Sequence, residues 1–273
     1  MSALDARSRF LRLMALDAMH QAGRGHLPSA FSCIDILRVL YDTILRVHPE
    51  DPCWPERDRF ILSKGHGCLA LYAILADKKF FPVNELRRFC RFESRLGGHP
   101  EKDLVPGVEA STGSLGHGPS IGIGMALAAR LDKRHSRIFV LCGDGETNEG
   151  SVWEACLSAA KHKLDTFTLI VDYNKQQSWD NVENILPLEP YVDKFRAFGF
   201  AVSEVDGHDV GAMEKLFSSL PFSHDKPSCV ICHTVKGKGV AFLEQNLAWH
   251  HKTRMTQEEY ASMSEELATG QKQ

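Results

Sequence analysis

A carboxylate between two glycines, Gly143-Asp144-Gly145, stands where one apolar run ends, and an amide, Asn174, stands where the next one ends thirty residues later. The two runs, 137–142 and 166–171, are short and rich in β-branched and aromatic residues, as strands buried on both faces are. Residues 151–162 between them carry a helical pattern. Strand, glycine turn, helix, strand gathers the polar residues at the carboxyl ends of neighbouring strands, the edge where open parallel sheets bind ligands. Gly150 is the next glycine, so the spacing is not the G-x-G-x-x-G of a dinucleotide fold. An aspartate at the lip of a phosphate loop would repel phosphate oxygens in a partly dry site. A divalent cation between them removes the clash, and Mg²⁺ takes hard oxygen ligands: the Asp144 carboxylate, the Asn174 amide oxygen and the Gln176 backbone carbonyl can supply three. The alternative is a plain tight turn.

Three histidines stand in glycine-rich or helix-initiating contexts: His26 in Gly23-Arg-Gly25-His26-Leu-Pro28, His66 in Ser63-Lys64-Gly65-His66-Gly67, and His99 in Gly97-Gly98-His99-Pro100. His66 opens a helix, where free N–H groups favour an anion. Taken alone, His26 and His99 also suit solvated loops. The stretch 111–118, with Gly113, Leu115 and Gly116, lets backbone approach a ligand closely. Lys236 and Lys238, in a glycine-rich turn at 235–239, read as a solvated basic loop. Asp206-Gly207-His208-Asp209 reads as structural.

The elements that must position these groups alternate. Helices are expected over 4–21, 34–45, 68–75, from 121 onward, and over 191–198 and 212–220; strands are expected from 58, over 201–205 and over 229–234. This is the pattern of an α/β fold, doubly wound, with a mainly parallel sheet flanked by helices. We expect one diphosphate-binding domain over 1–255 and a polar tail, 256–273, that fades from helix into disorder. Of 273 residues 43% are hydrophobic, enough for a large core, and the net charge of −3 makes no electrostatic case for nucleic acid. No apolar run approaches a membrane span, and the first nineteen residues lack a signal-like core, so a cytoplasmic protein is expected. Of the eight cysteines, Cys33, Cys68, Cys142, Cys156, Cys229 and Cys232 sit in contexts of buried free thiols. Cys229-Val-Ile-Cys232 lacks the second pair a zinc site needs, and in a strand its thiols point to opposite faces.

Gly143-Asp-Gly145 with Asn174 resembles the thiamin-diphosphate motif, and Glu149-Gly150, Glu154-Ala155 and Asp172-Tyr-Asn174-Lys resemble transketolases specifically. The resemblance spans about residues 5–255. It implies thiamin diphosphate with Mg²⁺ (or Ca²⁺) held by Asp144, Asn174 and the Gln176 carbonyl. Cofactor contacts would come from His66, Gly113, Leu115, Gly143, Asp144, Gly145, Glu149, Asn174 and His250, and catalytic contacts to sugar oxygens from His26, His99 and His250. Acids matching Glu149 and Glu154 lie at the dimer contact in the family. A proline-containing Leu27-Pro28 and His251 stand where relatives usually have glycine. The resemblance covers one domain of three, which fits a truncated transketolase or, the reading we prefer, part of a divided one. A two-carbon ketol unit would pass from a ketose phosphate to an aldose only with a separate chain carrying the pyrimidine-binding domain, as a heterotetramer. The alternatives are a related enzyme acting on a modified sugar or 2-oxo acid, or one chain of a 2-oxo acid dehydrogenase.

Overall fold

The computed structural model describes residues 4–252 and 254–271. Strands β1 (Arg59–Leu62), β2 (Ile138–Gly143), β3 (Phe167–Tyr173), β4 (Ala201–Asp206) and β5 (Ser228–His233) form one parallel sheet in the order β1-β2-β3-β5-β4. Successive side chains of a strand face opposite ways. Thus β2 gives Phe139 and Leu141 to one core and Ile138, Val140 and Cys142 to the other. The first core is covered by α1 (Ala6–Ala22), α2 (Leu27–Val39), α3 (Cys68–Asp77) and α8 (Val210–Ser218), the second by α4 (His117–Leu131), α5 (Gly150–Lys161) and α7 (Tyr191–Ala197). Helices on both faces make the sheet doubly wound, as expected. Cys229 and Cys232 fall in different cores, so this pair is two packed side chains and not a ligand pair.

Three details depart from expectation. Helix α2 begins at Leu27, a full turn and more before the periodic signal at 34, with Pro28 in its first turn, where a missing N–H costs nothing. It is buried on nearly every side, so no apolar stripe marks its start. Lys236 and Lys238 are only 3% and 5% exposed, which overturns the solvated basic loop. The Lys238 carbonyl accepts from Arg12 Nε at 2.8 Å, and the Lys236 ammonium points inward onto two carbonyls described below. The tail forms α9 (Gln257–Thr269), opened by a Thr256/Glu259 capping box, and buries Met263 and Leu267 in the first core. The disordered end expected beyond it falls partly at residues 272–273, outside the described residues.

Arg12, Asp35 and His208 fasten α1, α2 and the β4–α8 turn inside the first core. Asp35 accepts from Arg12 Nη1 at 2.9 Å, Arg12 Nη2 at 2.8 Å and Ser8 Oγ at 2.5 Å, and lies 2.8 Å from His208 Nδ1. His208 Nε2 accepts from the Val235 amide at 2.9 Å, so Nδ1 carries the proton. The Asp206–Asp209 block is structural, as read. Burial alone would raise the Asp35 carboxyl, but Arg12 and His208 outweigh it and hold it far below the usual range. A depressed acid contributes stability above its unfolded value and loses it as pH falls. Asp35→Asn should therefore lower unfolding free energy by roughly 3–5 kcal/mol at pH 7, because it leaves Arg12 buried without its counter-charge. Urea unfolding should show this gap narrowing below about pH 4; an unchanged midpoint at pH 7 would contradict it.

Candidate active site

The carboxyl ends of β1, β2 and β3 open on one cleft of about 640 Å³. All twelve residues expected as cofactor, metal or catalytic contacts line it: His26 before α2, His66 in the turn ahead of α3, His99, Gly113 and Leu115 before α4, Gly143, Asp144 and Gly145 around the end of β2, Glu149 before α5, Asn174 and Gln176 after β3, and His250. Glu154 lies elsewhere, exposed on α5. A smaller cavity of about 260 Å³ sits at the amino ends of the strands, beside Arg59 and Ile138, away from this chemistry.

Two glycines are required for the cleft to close up. Gly113 has φ of 143°, and a Cβ there would lie 3.1 Å from the His99 ring. A Cβ on Gly145 would lie 2.7 Å from the Gln177 side chain. Buried Glu146 ties the surrounding segments together: it accepts from the Gly116 amide at 2.8 Å, from the Gly143 amide at 3.1 Å and from the Ser63 hydroxyl. One carboxylate thus joins the ends of β1 and β2 to the loop before α4.

The floor is a buried charge cluster. Asp172, fully buried, accepts from Ser32 Oγ at 2.6 Å and from Lys64 Nζ and Thr234 Oγ1 at short range. Burial pushes the Asp172 carboxyl up, and Lys64 more than reverses this. Asp144 is 2% exposed; its Oδ1 accepts from the Gly145 amide at 2.7 Å and its Oδ2 from the Lys175 amide, next to Asn174, at 2.5 Å. Burial, then the charge of Asp172, raise its carboxyl to about 7 despite those two amides and Lys64.

A hard cation fits here by donor chemistry. The Asp144 carboxylate lies beside the Asn174 turn, and the buried Gln176 Oε1 has no partner. Asn174 Oδ1 accepts from the Gln176 amide at 3.0 Å, and the Gln176 carbonyl accepts from Lys236 Nζ at 3.2 Å, leaving each oxygen a second lone pair.

Above the floor a lysine that stays mostly charged at pH 7 stands beside largely neutral imidazoles. Burial, then Lys64, push Lys236 down to about 8, with Asp144 and Asp172 pulling the other way. Burial, then Lys236, push His250 to about 3, so its ring is neutral at pH 7. His66 is held well below its ordinary value by burial and then Lys64, and His99 is lowered by burial and then His26. Neutral rings accept and donate hydrogen bonds without repelling the lysines, which suits a cleft that receives a polyhydroxylated, anionic ligand.

Lys64, Glu146, Asp172, Gln177, Ser178 and Lys236 belong to the cleft or its floor, yet sequence reasoning gave none of them a site role. The usable signal was charge out of place: Asp172 ends a buried apolar run and Lys64 ends another, and a charge that ends a buried strand requires a partner. Nothing comparable marked Lys236, since Gly237 and Gly239 just after it read equally well as a solvated turn.

Comparison with known proteins agrees with this geometry. Residues 5–273 match the family described as transketolase, thiamine diphosphate binding domain. The chain is 39% identical over 265 residues to one of the subunits of the apulose-4-phosphate transketolase of Phocaeicola vulgatus, covering 97% of this chain and 94% of that one. It is 38% identical over 264 residues to a 6-deoxy-6-sulfo-D-fructose transketolase subunit of a Clostridium species, covering 97% and 96%. The crystal structure of Campylobacter jejuni transketolase superposes with a TM-score of 0.88 at 33% identity, over 96% of this chain but only 42% of that longer one. On sequence and fold together, the chain belongs to the transketolase family and corresponds to its thiamin-diphosphate-binding domain.

Proposed function

We propose that this chain is the diphosphate-binding half of a two-chain transketolase, transferring a two-carbon ketol unit from a ketose phosphate donor to an aldose acceptor. The observation that carries the reading is Asp144: a buried carboxyl at the end of β2, raised to about 7 and bonded to the amide beside Asn174, is a charge awaiting a cation. Mg²⁺ or Ca²⁺ on Asp144, Asn174 and the Gln176 carbonyl would hold the diphosphate of thiamin diphosphate, with Lys236 and His66 facing the same end. Thiamin diphosphate, when bound, supplies the carbon nucleophile and the electron sink. The protein's share is positional: His26, His99 and His250 bind sugar oxygens, and a neutral His250 can accept a proton at the ring nitrogen that has no partner.

A separate chain is supported by the names of two relatives. This chain covers relatives named as subunits nearly end to end but less than half of an undivided transketolase. Leu131 on α4, Leu157 on α5, and Trp179 and Leu186 at the cleft are exposed apolar side chains that a second polypeptide would cover. We take the assembly as a heterotetramer, with Glu149 and Glu154 near the contact between halves. A cytoplasmic setting suits eight unpaired cysteines, and among the described residues no helix is long and apolar enough to cross a membrane. A modified-sugar donor is the second reading, favoured by the apulose 4-phosphate and sulfofructose in the names of the two relatives.

Two outcomes follow. Asp144→Ala should reduce affinity for thiamin diphosphate and Mg²⁺ by at least about a hundredfold with the fold intact, and parent affinity should fall about tenfold per pH unit below 7, as protons compete for the raised carboxyl. Calorimetric titration from pH 5.5 to 8 checks both; a flat profile or an unaffected variant would mean the motif is only a turn. Secondly, the purified chain should show no ketol transfer at saturating cofactor and Mg²⁺, and activity should appear on mixing with the chain that supplies the pyrimidine-binding domain. Light scattering beside a ketose-to-aldose assay checks this, and robust transfer by this chain alone would overturn the two-chain reading.

A further inference from the structure

The cleft wall carries a second donor set, different in kind from the oxygens of its floor. His26, His250 and His251 each bring an imidazole nitrogen to within 4.8 Å of the other two. Ring centroids lie 5.7 Å apart for His26 and His250, 5.9 Å for His26 and His251, and 4.5 Å for His250 and His251. His26 Nδ1 lies 3.0 Å from the His250 carbonyl oxygen. A carbonyl only accepts, so Nδ1 carries the proton and Nε2 keeps its lone pair. A carbonyl on the far nitrogen is how metal-bound imidazoles are commonly oriented. His250 is 6% exposed and its Nδ1 has no partner, while Nε2 lies 3.2 Å from Ser178 Oγ. The tautomer that donates Nε2–H to Ser178 leaves a bare lone pair on the buried Nδ1. His251 is exposed and flanks the pair from the solvent side.

We propose that His26, His250 and His251 form a site for a borderline divalent ion such as Zn²⁺, and that an ion held there obstructs the cleft to sugar. Three nitrogens about 2.0–2.1 Å from a tetrahedral ion stand about 3.4 Å apart, so the rings need to close by at most a little over an ångström, through ring rotations in which exposed His251 has the most freedom. The fourth position would go to water. Mg²⁺ prefers hard oxygens and keeps its waters, whereas imidazole suits Zn²⁺, Cu²⁺ and Ni²⁺. The cleft thus sorts metals by donor type, oxygens at Asp144 and imidazoles at the three histidines. Ion binding stands independently of the transketolase reading; only the obstruction rests on it.

The test uses the full chain carrying Cys53→Ser, which removes an exposed thiol that would also take zinc. Calorimetric Zn²⁺ titration, with Co²⁺ absorbance as the spectroscopic probe, should show one ion per chain and a tetrahedral Co²⁺ band. Either His251→Ala or His26→Gln should weaken Zn²⁺ binding at least about tenfold, the loss already typical of a mere outer-shell partner. Equal affinity in both variants, or parent binding weaker than about 0.1 mM, would overturn the site. In the two-chain enzyme, Zn²⁺ inhibition should compete with the ketose and weaken in His251→Ala. Zn²⁺ binding without such competition would overturn the obstruction alone.

Discussion

Two buried carboxylates, Asp144 and Asp172, stand at the ends of adjacent strands with one lysine placed to neutralise them. The pairing of β2 with β3 sets this: Gly143 is opposite Asp172, and the Asp144 amide donates to the Asp172 carbonyl at 3.2 Å. Lys64 settles on Asp172, whose acceptors Ser32 and Thr234 also occupy. Asp144 is left with two amides and an uncompensated charge, and its carboxyl rises to about 7. Lys236 shows the converse strain, buried near Lys64 and lowered to about 8. A divalent cation beside Asp144 together with an anionic diphosphate beside Lys236 would relieve both at once, each favouring the charged form of its neighbour. Much of the remaining architecture keeps this imbalance dry and fixed. Glu146 ties three segments around it, and the Arg12–Asp35–His208 network fixes α2, which places His26 and Ser32.

That arrangement was partly legible beforehand. Strands buried on both faces are continuous apolar runs, so β2, β3 and β5 stood out, and the polar residues closing β2 and β3 pointed to the site. The Cys229/Cys232 pair was legible for the same reason, because strand alternation separates the two thiols. What stayed hidden depends on partners distant in sequence. Lys236 is buried because it donates to the carbonyls of Gln176 and Gln177, and no local pattern announces a backbone acceptor sixty residues away. The start of α2 was hidden by its complete burial, which erases the period that marks a helix. The roles of the histidines came from the family resemblance; the structure supplies their meeting in one cleft and the burial that keeps His66 and His250 neutral.

The cleft is therefore stratified: carboxylate, amide and carbonyl oxygens lie at the floor, with lysine and neutral imidazoles above them, exposed Leu186 in the lining and exposed Trp179 beside His251. On the function proposed above, these layers would take a hard cation, an anionic diphosphate, sugar hydroxyls and the apolar surface of another polypeptide.

The central claim, that Asp144 is held partly protonated until a cation arrives, is open to direct observation. Carboxyl ¹³C NMR of the metal-free chain, with the resonance assigned by its loss in Asp144→Asn, should give a titration midpoint near 7. Added Mg²⁺ and thiamin diphosphate should drive that midpoint below about 5, since a bound cation favours the ionised form. An ordinary midpoint near 4 in the metal-free chain, unmoved by metal and cofactor, would contradict the account.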